Sequence, residues 1–166
     1  MKKLKFIFSF VIGLTFVCNL SAQTVKYTYK ALAAEGCNME YGVVKQDSSY
    51  FIIATVRSDR MRFLNDPTMK IRTFNDSVIT LSGVLIGNGS RTTGVVSGNV
   101  VIPVTEINST AQFSITPEQF EEIKVGISKI RLSMTPMNHE RTFNQDKIGM
   151  KLYQFYLNVK SQDDNF

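Results

Sequence analysis

Tyr50-Phe51-Ile52-Ile53-Ala54-Thr55-Val56 decides the fold class of this chain. The run is nearly continuous in β-branched and aromatic side chains, the composition of a strand covered on both faces. Its neighbours repeat the strand signal. On the N-terminal side, Met39 to Lys45 reads as a strand, and Val25, Tyr27 and Tyr29 alternate with Lys26, Thr28 and Lys30 at period two. On the C-terminal side, Met69, Ile71 and Thr73 alternate with Lys70 and Arg72. Asn75-Asp76 then marks a turn before Ser77 to Leu85, which makes the two runs a hairpin.

Gly87-Asn88-Gly89-Ser90 reads as a second turn, and the polar, glycine-spotted stretch to Gly98 as a loop or weak edge strand. Asn99 to Val104 reads as a strand whose Pro103 suits an edge or a bulge, and Ala111 to Ile115 as another short strand. The first helix follows. Thr116 can cap it, Pro117 suits its first position, Gln119 can complete a capping box, and Gly126 can end it in the left-handed conformation. Ile127 to Met134 then returns to an extended run, the last strand expected, with Ile130, Leu132 and Met134 on one face.

Ile148, Leu152, Phe155 and Val159 change the period to that of a helix and predict one apolar stripe, with Asn144 or Thr142 as cap. Gly149 weakens that helix by about 1 kcal/mol relative to alanine, so tertiary packing must hold its first turn. The expected fold is therefore α+β and predominantly antiparallel β, a sheet or sandwich of about seven or eight strands. It carries a short helix near 117–125 and a C-terminal helix near 145–160.

The first 22 residues have a different character. Lys2, Lys3 and Lys5 precede an apolar stretch from Phe6 to Val17 that is too short to span a bilayer comfortably, and Ser21-Ala22 ends it with small residues. This is the layout of an export signal with cleavage between Ala22 and Gln23. Residues 23–166 would then form a single β-rich globular domain without a transmembrane segment, located in the periplasm, at the cell surface or in the medium. Val17 before Cys18 argues against a lipoprotein, whose signal places a small residue there.

Removing residues 1–22 changes the charge balance. The chain has 19 Lys and Arg against 14 Asp and Glu, and three of those lysines lie in the signal, so the net charge falls from +5 to +2. Charges of both signs are interspersed thereafter, which argues against nucleic acid as a partner. Only Cys37 remains of two cysteines, so no internal disulfide is expected, and a small buried thiol is the simplest reading.

Histidine usage bears on catalysis. His139 is the only histidine, in a Pro136-Met137-Asn138-His139-Glu140 connection that reads as an exposed turn. A His-based triad or zinc site is accordingly not expected. Glu121 and Glu122 are adjacent and would diverge by about 100° on a helix, and no other carboxylate pair is singled out by spacing. No catalytic residue, metal or cofactor is assigned. Arg57, Arg60 and Arg62 form the densest basic cluster after residue 22, a candidate anion clasp because guanidinium forks match carboxylates and phosphates. The competing reading is a solvated connection. Asp76-Ser77-Val78 resembles the short O-glycosylation acceptor pattern of some gut bacteria, which would place a glycan on Ser77.

Ile127-Ser128-Lys129-Ile130-Arg131-Leu132, then Phe143-Asn144-Gln145-Asp146-Lys147-Ile148-Gly149 and the helix to Tyr156, resemble the C-terminal half of small exported proteins of unknown function from Gram-negative gut bacteria. The resemblance implies export and a β-rich fold and carries no active residues. Lys129, Arg131, Lys147 and Tyr153 could mark a surface shared with such proteins, or Lys147 could pair with Asp146 or Glu140. The functional expectation is a non-enzymatic exported protein that binds an unspecified ligand or protein partner. The alternative is a small-ligand carrier or a small hydrolase with a site dispersed over several strands. Intact-mass measurement of natively produced protein should return the mass of residues 23–166 plus a glycan. The bare mass removes the Ser77 assignment, and the mass of residues 1–166 removes the cleavage assignment.

Overall fold

The computed structural model describes residues 24–30 and 36–161, with side chains from Cys37 onward. Residues 1–22 and the Ala22–Gln23 junction lie outside the described residues. The elements run β1 (Thr24–Lys30), β2 (Gly36–Gln46), β3 (Ser49–Ser58), β4 (Arg62–Phe63), β5 (Thr68–Thr73), β6 (Val78–Ser97), β7 (Val100–Ile115), α1 (Pro117–Ile123), β8 (Ile127–Leu132), β9 (Met134–Thr135), β10 (His139–Thr142) and α2 (Gly149–Ser161). Eight strands form one antiparallel sheet in the order β1-β2-β3-β7-β6-β5-β8-β10, and β4 pairs with β9. The α+β class and its antiparallel character are as the sequence indicates.

Register explains the core. Tyr41, Ala54, Ala111 and Leu85 form one row across β2, β3, β7 and β6, and Val43, Ile52, Phe113 and Gly83 form the next. The small Ala54 and Ala111 of the first row stand next to the large Ile52 and Phe113 of the second along β3 and β7, and Leu85 next to Gly83 along β6, so small and large side chains complement each other between rows. A Cβ on Gly83 would lie 2.6 Å from the Phe113 ring, so only glycine lets that ring cover the strand. In β3, Ile52, Ala54 and Val56 are buried whereas Phe51, Ile53 and Thr55 are only partly so. The expectation of burial on both faces is therefore corrected, because that second face keeps some contact with solvent.

The largest correction concerns residues 87–104. Gly87 to Ser90 is not a turn, and neither Asn99 to Val104 nor Ala111 to Ile115 is a separate strand. β6 and β7 each run through, joined by a two-residue turn at Gly98-Asn99 with Gly98 at φ 62°. Glycine at the first central position is what a tight type II′ hairpin turn needs. A bulge between Leu85 and Gly87 inserts Ile86, so even-numbered residues of β6 take over the core-facing side from odd-numbered ones. Pro103, opposite Gly94, lies where β7 has no second neighbour, so its missing N–H costs no ladder bond.

α1 follows its sequence signals closely. Thr116 Oγ1 accepts from the Gln119 N–H at 3.3 Å, the Gln119 side chain accepts from the Thr116 N–H at 2.9 Å, and Gly126 has φ 99°. Tyr156 of α2 stacks on Phe120 of α1 at 4.4 Å, and Tyr50 of β3 meets Tyr156 edge-on at 5.0 Å. These contacts turn the buried stripe of α2 to Leu152 and Tyr156, leaving Phe155 and Val159 half-exposed. The stripe read from the sequence is thus rotated, because two aromatic rings stacking outweigh a phenylalanine left partly wet. The run from Ile127 is not the last strand either: it breaks at Ser133, and β10 follows it.

The cap of α2 also differs from expectation. Neither Asn144 nor Thr142 supplies it. Asp146 Oδ1 accepts N–H bonds from Ile127 at 3.0 Å, Ile148 at 3.3 Å and Gly149 at 2.8 Å, while Oδ2 accepts from Met150 at 2.7 Å. One carboxylate thus fastens the helix start to the first residue of β8. A Cβ on Gly149 would lie 2.7 Å from the Ile127 nitrogen, so glycine's helix penalty is the condition for this close approach. Partial burial opposes ionisation of Asp146, but the four backbone donors outweigh it and hold the carboxyl below its ordinary value of 3.8. Asp146→Ala should lower unfolding free energy by about 2 kcal/mol, as for loss of a strong cap, measured by urea denaturation. A depressed carboxyl pKa stabilises above the unfolded value, so this contribution should persist above about pH 4 and vanish as pH falls through the lower folded value.

Candidate interaction surface

Beyond the body of the sheet, β6 and β7 continue as a two-stranded arm. β3 covers β7 only from Ile107 inward, and β5 covers β6 only over Val78–Ser82, so among the described residues Arg91–Ser97 and Val100–Glu106 pair solely with each other. At the usual strand rise this free part is about 23 Å long. Arg91 lies directly opposite Glu106, and no charged residue occurs between them along the chain. Val95, Val100, Ile102 and Val104 line one face of the arm, and Val96 and Val101 the other. All six are exposed, Val96 at 72% and Val101 at 64%. Contiguous exposed apolar clusters of this kind are uncommon on the surfaces of monomeric proteins.

The arm's inner face continues the core-facing face of β7. Ser109 marks the exit from the core: its hydroxyl donates to Asn88 Oδ1 at 2.6 Å and accepts the Phe63 N–H at 3.0 Å, tying β4 to both arm strands. Immediately outward lies an open groove of about 410 Å³ lined by Arg62, Asn88, Gly89, Ser90, Thr105 and Ile107. The three arginines are not gathered there. Arg57 faces Glu40 at 3.7 Å and Arg60 holds Asp59 at 3.1 Å, so only Arg62 lines the groove.

Ser77 sits in the β5–β6 turn after Asp76, which has φ 63°, and its hydroxyl donates to Glu122 Oε2 at 2.5 Å. Glu121, beside it on α1, accepts from Lys124 at 2.8 Å and from the Tyr153 hydroxyl at 2.7 Å. Tyr153 thereby belongs to the helical layer, apart from Lys129 and Arg131 on β8. Glu140 pairs with Lys129 at 2.6 Å, and Asp146 is occupied by backbone donors, so neither acid pairs with Lys147. Cys37 is fully buried on β2, and burial pushes its thiol up to about 11, which makes it inert as a nucleophile.

His139 departs from the sequence reading. It opens β10 opposite Leu132, in the row Leu81-Met69-Leu132-His139, and is fully buried rather than in an exposed turn. Burial, with a smaller push from the Arg141 charge, lowers its pKa to about 4, so the ring is neutral near pH 7. Among the described residues no group of three or more His, Cys, Asp or Glu is placed to hold a metal ion. No helix among them is long and apolar enough to cross a membrane.

No protein-family model matches the chain, and no curated protein or solved structure is significantly similar to it. The arm's geometry therefore carries the functional reading. The sequence held one usable sign of it: Gly98-Asn99 flanked by Val95-Val96 and Val100-Val101-Ile102, the short hairpin signal.

A buried neutral histidine predicts a definite acid response. The unfolded chain takes up a proton near pH 6.5 and the folded one only near 4, so stability is complete above the unfolded value and falls on acidification between the two. The loss should approach about 3 kcal/mol. Urea denaturation across that window should show the slope in the natural protein and a much flatter one in His139→Gln.

Proposed function

We propose that this is an exported, non-enzymatic interaction protein of the bacterial cell envelope whose contact element is the β6–β7 arm. The observation that carries the reading is the cluster of six exposed aliphatic side chains on the uncharged part of that arm. Fully burying one such side chain is worth roughly 1.5–3 kcal/mol, so even partial cover by a partner would support specific binding. The arm's backbone adds to this. Among the described residues each of its strands has one unpaired edge, able to accept a further strand from a partner. The lysine-led apolar segment at the start of the chain supports export.

The arm makes no part of the buried core, so its surface can be changed without unfolding the body. A photo-crosslinking residue at Val96 should give discrete adducts in the producing cells, and the same residue at the exposed Lys151 of α2 should not. Fractionation should find the chain, shortened at its N-terminus, in the envelope or medium. Equal adducts from both positions, or a full-length chain confined to the cytoplasm, would refute the reading.

A further inference from the structure

The outer face of β5 and β8 carries a charge arrangement that the fold by itself does not explain. The register sets Lys70 directly opposite Arg131 and Arg72 directly opposite Lys129. Lys70, Arg72 and Arg131 are exposed, while the buried residues Met69, Ile71, Ile130 and Leu132 point to the other side. From strand geometry the backbone positions of the four residues form an array about 7 Å along the strands and about 5 Å across them. Directly opposed like charges destabilise a sheet.

The flanking positions do little to relieve the array. On β6, Thr80 lies beside Lys70 and Val78 beside Arg72. On β10, Thr142 lies beside Lys129 and Glu140 beside Arg131, but Glu140 is held by Lys129 at 2.6 Å. Among the described residues, no carboxylate is within ion-pair distance of Lys70, Arg72 or Arg131. Four cations thus face one carboxylate.

We infer that this face is a binding site for a phosphate-type dianion, held by Lys70, Arg72, Lys129 and Arg131. The guanidinium forks of Arg72 and Arg131 each take two oxygens, the Lys70 ammonium supplies compact charge at one corner, and Lys129, shared with Glu140 at 2.6 Å, adds to it at the opposite one. A dianion at the centre converts two repulsive cross-strand pairs into four attractions. A single carboxylate would leave most of the positive charge uncompensated. The same chemistry is offered by a soluble phosphate ester and by a phosphomonoester lipid headgroup. This site is separate from the arm, and its failure would leave the arm's proposed role intact.

The test uses the protein's melting temperature and vesicle co-sedimentation. Inorganic phosphate should raise the melting temperature saturably, beyond chloride at matched ionic strength, which controls for simple screening. Phosphatidylcholine vesicles containing phosphatidic acid should sediment the protein where pure phosphatidylcholine vesicles do not, if the source is a lipid headgroup. Either result supports the site, and the pair distinguishes its two sources. Lys70→Gln/Arg131→Gln should melt higher than the natural protein in low salt without ligand, because one repulsive pair is gone. It should also bind phosphate or the anionic vesicles at least about tenfold more weakly. Equal effects of phosphate and chloride together with no preference for phosphatidic acid, or unchanged affinity in the double variant, would overturn the inference.

Discussion

Strand β6 changes partners at Gly83, and much of the molecule follows from that change. Up to Ser82 it is held by β5, and from Gly83 onward by β7. The Phe113 ring lies on the glycine at the crossing, and the bulge at Ile86 resets which residues face the core. Because β6 serves both sides, the β1-β2-β3-β7 block and the β5-β8-β10 block become one sheet. Because it then runs on past both neighbours, the sheet ends in an arm.

The second constraint is where the polar groups go. Asp146 accepts from four backbone N–H groups and so fastens the start of α2 to the first residue of β8, while the Phe143 N–H bond to the Ser128 carbonyl holds the other end of the loop after β10. His139, one strand away, is buried and neutral. The cations of β5 and β8 all face outward, where water screens some of their repulsion and an anion can remove more. Polar side chains are thus divided between fixing the helical layer and charging the open face of the sheet.

Much of the architecture was legible in local sequence. Period-two alternation, the Asn75-Asp76 turn, the Thr116–Gln119 capping box and the Gly126 terminus all act over a few residues, and each appears as read. Other local signals are compatible with two structures. Gly87-Asn88-Gly89-Ser90 has turn composition, yet glycine also tolerates an extended strand when a partner strand supplies its hydrogen bonds. The polar surroundings of His139 suggest a surface turn, yet pairing with Leu132 places it in a row of buried side chains.

What the sequence determined by itself is the α+β class, the antiparallel strands, the two helices and the residues able to build an apolar core. These depend on backbone preference and periodicity, which neighbouring residues share. Tertiary structure alone decided which residues stand together: Arg62 at the groove without Arg57 and Arg60, Asp146 as the cap, and Lys70 against Arg131. Those outcomes depend on contacts between segments far apart in the chain, as in the register that sets Lys70 against Arg131. A one-residue slip would turn every side chain of a strand to the opposite face, and no local pattern fixes register across such a distance.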